Sequence, residues 1–83
     1  MEFAVVHLIR NAAAWQEALD AHDTFPLDFT LLAFAEAQDR SRAFCLWRTP
    51  SREALQESLD RFFGHAALNE VFPVDVHVLE PDA

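Results

Sequence analysis

Apolar residues occur in short segments along the chain, and four of these segments have the length and composition of β-strands. Residues 3–10 are rich in β-branched side chains, and residues 74–80 alternate valine with polar side chains. The alanines of residues 29–37 would suit a helix, but the polar residues 38–41 are followed by an apolar run from Ala43 to Trp47, which is typical of a hairpin. The pattern therefore predicts strands over 3–10, 29–37, 42–48 and 74–80.

Two further segments have the periodicity of amphipathic helices. Asn11 is a good N-cap for a first helix over residues 12–22, whose apolar positions recur at i, i+3, i+4 and i+7 from Trp15. Residues 49–51, Thr-Pro-Ser, begin a second helix, since Ser and Thr cap helices and Pro is tolerated in a first turn. Gly64 is a suitable C′ residue to end it. The apolar stripe of this second helix consists of Leu55, Leu59, Phe62 and Phe63.

The predicted elements follow one another in the order β-α-β-β-α-β, with a connection through Asn69 before the last strand. This is the order of the ferredoxin-like split βαβ arrangement, an α+β fold with two helices on one face of a four-stranded antiparallel sheet. In that topology the third strand flanks the first, and the last strand lies at an edge next to the first. Residues 1–83 are long enough for one such domain and contain no linker.

Both faces of the predicted sheet carry apolar side chains on three strands. In the second strand, Leu31, Ala33 and Ala35 form one row, while Leu32 and Phe34 belong to the other. Two helices cover only one face, and soluble monomers rarely expose large contiguous apolar surfaces. Burial of roughly 600–800 Å² per subunit gives a gross stabilisation of about 15–20 kcal/mol, much of it offset by association entropy. We therefore expect a homodimer formed through the sheet face; the alternative is a monomer whose extra apolar residues lie under loops.

Composition and charge narrow the classes of function. The chain has 83 residues with 6 basic and 14 acidic side chains, which gives a formal net charge of −8. This balance argues against nucleic-acid binding, which depends on phosphate neutralisation. The chain has no lysine, which excludes Schiff-base and P-loop chemistry. One cysteine fits a reducing compartment, and neither a membrane span nor a secretory signal is visible, so we expect a cytoplasmic protein.

Two segments resemble a known family. Residues 45–55, CLWRTPSREAL, and residues 72–76, FPVDV, are similar to the strand-to-helix junction and the closing segment of a small bacterial family of unknown function that includes a nickel-binding protein. The similarity covers about half of the chain, and its motifs are structural rather than catalytic. The resemblance implies the dimeric α/β-barrel form of the ferredoxin-like fold, in which two sheets face each other, and it implies nickel binding.

Two histidines are the best candidates for metal ligands. Alternation in the last predicted strand puts His77 and Asp75 on the face away from the helices, and His7 joins them if its strand turns its even-numbered residues towards the helices. With Glu36 or Asp75 as oxygen ligands, the set suits Ni, Zn or Cu ions. The alternative is two polar side chains that are hydrogen-bonded at a dimer interface.

A ligand pocket between helix and sheet is a second candidate site. Trp15, Phe34 and Trp47 are its candidate lining residues, although core packing also explains the two tryptophans. Cys45 is a candidate nucleophile beside His7, because the third strand flanks the first; an inert core cysteine is the alternative. Residues 20–23, Asp-Ala-His-Asp, are either a cation site or a solvated helix end.

These observations leave three functions open. The first is a small homodimeric, non-catalytic binding protein of unknown physiological role that binds a transition metal such as nickel. The second is a cofactor-free oxygenase or isomerase that holds an apolar aromatic substrate near Trp47, Phe34 and His7, with His7 as the acid or base. The third is an assembly module without a ligand.

Overall fold

The computed structural model describes residues 1–21 and 25–79, and its elements follow the predicted order. Antiparallel pairings join the four strands in the order β2-β3-β1-β4, so β1 and β3 are central and β4 is an edge strand next to β1. This confirms the α+β ferredoxin-like fold. The elements are β1 (Glu2–Ile9), α1 (Ala12–Asp20), β2 (Thr30–Glu36), β3 (Arg42–Arg48), α2 (Arg52–Phe63) and β4 (Ala67–Pro73).

Both helices begin at the predicted caps. The Asn11 side chain accepts a hydrogen bond from the Ala14 amide at 3.1 Å, and the Ser51 hydroxyl accepts one from the Ala54 amide at 3.1 Å. These bonds satisfy amides that have no partner inside the helix. Helix α1 ends at Asp20, two residues before its predicted end, and His22 and Asp23 of the predicted cation site lie outside the described residues.

The last strand lies seven residues earlier than predicted, and the prediction over 74–80 is wrong for residues 74–79; Glu80 lies outside the described residues. Strand β4 pairs with β1 along nearly the whole length of β1, from Ile9 opposite Ala67 to Phe3 opposite Pro73. The pairing stops there because β1 ends, apart from one further bond from the Val74 amide to the Glu2 carbonyl at 3.2 Å. The alternating valines therefore follow the strand instead of forming it.

The core lies between the two helices and the sheet. Strand β1 turns its odd-numbered residues towards the helices, so Phe3, Val5 and His7 are buried. This corrects the expectation that His7 lies on the other face. The opposite row of β1 contains Val6 and the exposed Leu8. The other buried core residues are Trp15, Ala43, Cys45, Trp47, Leu55, Leu59, Phe63, Ala66, Ala67 and Val71.

A β-bulge in β2 changes which of its residues face the helices. The register of β2 against β3 shifts between Leu31 and Ala33, so Leu31 lies opposite Trp47 and Phe34 lies opposite Cys45. Leu31 and Phe34 therefore share the helix-side face, whereas strict alternation placed them on opposite faces. The bulge therefore corrects the predicted arrangement of side chains on the second strand.

The face of the sheet away from the helices, called the open face below, carries exposed apolar side chains together with the charged Arg42, Arg48 and Glu70. Its exposed large apolar side chains are Leu8, Phe44, Leu68 and Phe72. Ala4, at its centre, is buried, and residues 74–77 border a depression of about 390 Å³ over this region. The chain segment after β4 thus covers part of the open face and leaves the rest uncovered.

Candidate functional site

A cavity of about 510 Å³ lies between α1, α2, the segment before β2, and the adjoining strands β2 and β3. Trp15, Phe34 and Trp47, the three residues predicted to form a ligand pocket, all line it. Within residues 1–21 and 25–79, no lining residue carries a charged side chain at neutral pH. The lining residues in these ranges are His7, Trp15, Leu19, Phe25, Pro26, Leu27, Phe29, Leu31, Phe34, Cys45, Trp47, Leu59 and Phe63.

Aromatic rings from four parts of the chain form the cavity wall. Phe25 has its ring centroid 5.0 Å from that of Trp47 and 5.9 Å from that of Phe63. The Trp15 and Phe63 centroids are 5.1 Å apart. These separations are those of favourable aromatic pairs, which add to the stabilisation from area burial. The wall is therefore a set of mutually supporting rings suited to a planar apolar molecule.

His7 and Cys45 supply polar atoms to this otherwise apolar lining. The Cys45 sulfur lies 3.3 Å from His7 Nε2, and His7 Nδ1 lies 2.6 Å from Asn69 Oδ1. The three side chains come from β3, β1 and β4, which are neighbours in the sheet. We call this arrangement the Cys45–His7–Asn69 chain. The contact between Cys45 and His7 is the one expected from the predicted strand order.

The hydrogen bonds of Asn69 assign the tautomer of His7. The Asn69 amide nitrogen donates to the carbonyl oxygens of Leu59 and Ala67, both at 3.4 Å, so Oδ1 is the atom that faces the imidazole. An amide oxygen only accepts, and therefore His7 Nδ1 carries the proton and donates it. The lone pair of Nε2 then points to the Cys45 thiol, which donates.

Burial keeps the imidazole and the thiol neutral. Loss of solvation lowers the pKa of His7, and the hydrogen bond to Asn69 opposes this only in part. Burial raises the pKa of Cys45 to about 12, and the Trp47 side chain offsets part of that rise. The pair therefore rests as imidazole and thiol, not as imidazolium and thiolate.

The indole N–H of Trp47 is buried beside Cys45. Trp47 is only 8% exposed, and its Nε1 atom has almost no accessible surface. The indole is two residues from Cys45 on the same strand face, and a side-chain hydrogen bond from it opposes part of the rise in the pKa of the thiol. This donor therefore faces the thiol and the protein interior rather than the space of the cavity.

The four predicted metal ligands are divided between the two sides of the sheet. His7 and Glu36 lie on the helix side, where Glu36 accepts a hydrogen bond from Trp15 Nε1 at 3.1 Å and pairs with Arg40 at 3.5 Å. Asp75 and His77 are exposed and border the depression at the open face. Across residues 1–21 and 25–79, no group of three or more His, Cys, Asp or Glu side chains is placed to hold a metal ion.

Asn69 is the functional candidate that sequence reasoning missed. The sequence pattern placed Asn69 in a connection, because the alternating valines of residues 74–80 predicted the last strand there. The signal that identifies it is the alternation of Ala67, Asn69 and Val71, a buried row of β4 in which one member is polar. A polar side chain within a buried row requires a hydrogen-bond partner, and here that partner is His7.

Comparison of the chain with protein-family models, with curated proteins and with solved structures found no match. The fold and the cavity therefore define the protein: an α+β ferredoxin-like domain with an aromatic cavity between its helices and its sheet. Neither helix among the described residues is long and apolar enough to cross a membrane.

Proposed function

We propose that this protein binds an apolar small molecule that contains a ring, in the cavity between the helices and the sheet. The observation that carries the proposal is the 510 Å³ space walled by aromatic side chains. Ligand sites in proteins typically have volumes of about 300–1,000 Å³ and combine apolar walls with a few polar groups. The cavity has both properties, since His7 and Cys45 are polar residues in an otherwise apolar lining.

The chemistry of the lining defines the ligand class. Among the described residues no charged side chain lines the cavity, and transfer of a charged ligand group from water into it would be costly. A planar ring gains contact with Phe25, Trp47 and Phe63. The preferred ligand is therefore neutral and aromatic.

We further propose that the protein acts as a homodimer through the open face. Leu8, Phe44, Leu68 and Phe72 are exposed there, and they come from three neighbouring strands. A second copy of the sheet would bury these side chains and leave the cavity, which lies on the other side, accessible. Dimerisation and ligand binding thus use opposite faces of one sheet.

The oxygenase or isomerase alternative uses the same cavity. The observation in its favour is that His7, its expected acid or base, is neutral and contributes to the lining. Turnover of a bound aromatic ligand without an added cofactor would support this alternative, and binding without turnover would leave the non-catalytic binding protein.

Fluorescence titration with neutral ring compounds, such as naphthalene and acetophenone, tests the binding proposal. Trp15 and Trp47 both line the cavity, so we expect saturable quenching with both compounds. Phe34→Glu places a charge in the lining and should weaken binding at least tenfold. Phe44→Glu is the matched control: Phe34 is 43% exposed and Phe44 is 39% exposed, on opposite faces. Absence of saturable binding by the wild-type protein would overturn the proposal.

A further inference from the structure

The Cys45–His7–Asn69 chain has the parts of an acyl-transfer site. We propose that Cys45 is a nucleophile that accepts the acyl group of a neutral, apolar ester or thioester bound in the cavity, with His7 as the general base and Asn69 as the residue that orients it. The proposal rests on the proposed function, since the substrate has to occupy the same cavity. It adds a covalent activity that binding alone does not require.

The geometry matches the requirements of nucleophilic catalysis by a thiol. A nucleophile needs a base within hydrogen-bond reach, and the base needs a third group that holds its tautomer. Cys45 Sγ lies 3.3 Å from His7 Nε2, and His7 Nδ1 lies 2.6 Å from Asn69 Oδ1. The same order of thiol, imidazole and amide serves catalysis on unrelated folds, where it is recognised by roles and geometry.

The third member of the chain is held by the backbone. Asn69 donates to the carbonyl oxygens of Leu59, in α2, and Ala67, in β4. Rotation of the Asn69 amide would break both bonds. It would also turn the amide nitrogen, a donor, towards the N–H group at His7 Nδ1, which is a donor too. The imidazole is therefore fixed with its Nε2 lone pair towards the thiol, which is the tautomer that general-base catalysis needs.

The reaction proceeds in two balanced steps. As Sγ attacks the carbonyl carbon, the Cys45 proton moves to His7 Nε2; the bond from carbon to the ester oxygen or thioester sulfur then breaks, and His7 returns the proton to the departing alcohol or thiol. Water next attacks the acyl carbon while His7 Nε2 takes a proton from it; the carbon–sulfur bond then breaks, and His7 returns the proton to Sγ. The products are the free carboxylic acid and the restored thiol, and no oxidant, reductant or metal is consumed.

The test uses 4-nitrophenyl benzoate as the probe with the full chain. We expect release of one equivalent of nitrophenolate in a burst, and a single benzoyl group that peptide mapping by mass spectrometry locates on Cys45. At neutral pH the rate should exceed that of the His7→Gln variant by about 10²-fold, the usual contribution of a positioned base. A wild-type protein that reacts no faster than His7→Gln would overturn the proposal.

Two variants separate catalysis from structure. Cys45→Ala should abolish the burst while it leaves saturable acetophenone binding in place. Asn69→Ala removes the acceptor that fixes the tautomer of His7, and it should slow acylation about tenfold or more while acetophenone binding stays in place. Acylation that is unaffected by Asn69→Ala would contradict the orienting role.

The two proposals fail differently. If acetophenone binds saturably but the ester never acylates Cys45, the acyl-transfer proposal is wrong and the binding proposal stands. If neither compound binds, the binding proposal is wrong, and the acyl-transfer proposal is wrong as well. The wild-type result alone decides this, so the test does not depend on the folding of any variant.

Discussion

His7 is a buried histidine that the fold holds in its neutral form, and this links stability to pH. Its folded-state pKa lies below the ordinary value of 6.5 because burial disfavours the charged ring. Between the folded-state pKa and 6.5 the unfolded chain therefore binds more protons than the folded chain. The stabilisation is complete above pH 6.5 and is lost as the pH falls through the folded-state pKa.

We predict that the free energy of unfolding, measured by urea denaturation, falls between pH 7.5 and pH 5.5. His7→Gln should remove most of this dependence, although it lowers stability at both pH values. His77→Gln is the matched control, since this histidine is exposed and lies outside the sheet. An unchanged pH slope in His7→Gln would contradict the assignment to the buried imidazole.

The metal hypothesis also belongs to the residue scale. The candidate ligands His7 and His77 lie on opposite sides of the sheet, so one ion does not reach both within one chain. Nickel or another transition-metal ion stays a prediction, and metal analysis of the purified protein tests it. The hypothesis expects bound metal in the wild-type protein and less of it in His7→Ala or in His77→Ala. Unchanged metal content in both variants would remove it.

At the scale of elements, strand β4 shows how a strong local pattern misleads. The valine alternation of residues 74–80 is a clear strand signal, yet Ala67–Pro73 forms the strand. Residues 67–73 follow α2 and Gly64 closely in the chain and pair with β1. In this position Val71 is buried under α2. Pairing with a central strand therefore decides between two segments that both have β character.

Substitution of two valines tests this assignment. Val71 is 3% exposed and Val78 is 81% exposed. Val71→Ala should lower the free energy of unfolding by about 2 kcal/mol, because it removes buried methyl groups. Val78→Ala should change it by less than about 0.5 kcal/mol, as is usual for surface positions. Urea denaturation of the two variants measures both values, and equal effects would contradict the position of β4.

At the scale of the whole molecule, the sheet carries different functions on its two faces. Towards the helices it forms the cavity and the Cys45–His7–Asn69 chain; on the open face it presents Leu8, Phe44, Leu68 and Phe72. Such a division allows one face to be altered while the other stays intact. It also explains why apolar residues occur at both odd and even positions of the strands.

We predict a homodimer whose interface depends on Phe44. Sedimentation velocity at micromolar concentration should show twice the 9.5 kDa mass of one chain. Phe44→Glu places a charge at the centre of the proposed interface and should shift the protein towards the monomer, whereas Phe34→Glu, on the cavity side, should leave the dimer intact. A wild-type protein that sediments as a monomer would contradict the interface.

The sequence by itself determined the element order, both helix caps, the fold class and the adjacency of Cys45 to His7. Each depends on local periodicity, on capping chemistry or on the small number of topologies open to β-α-β-β-α-β. Only the tertiary structure decided the position of β4, the helix-side face of His7, the bulge that turns Leu31 inward and the role of Asn69. These features depend on register between strands distant in the chain, and a shift of one residue exchanges the two faces of a strand.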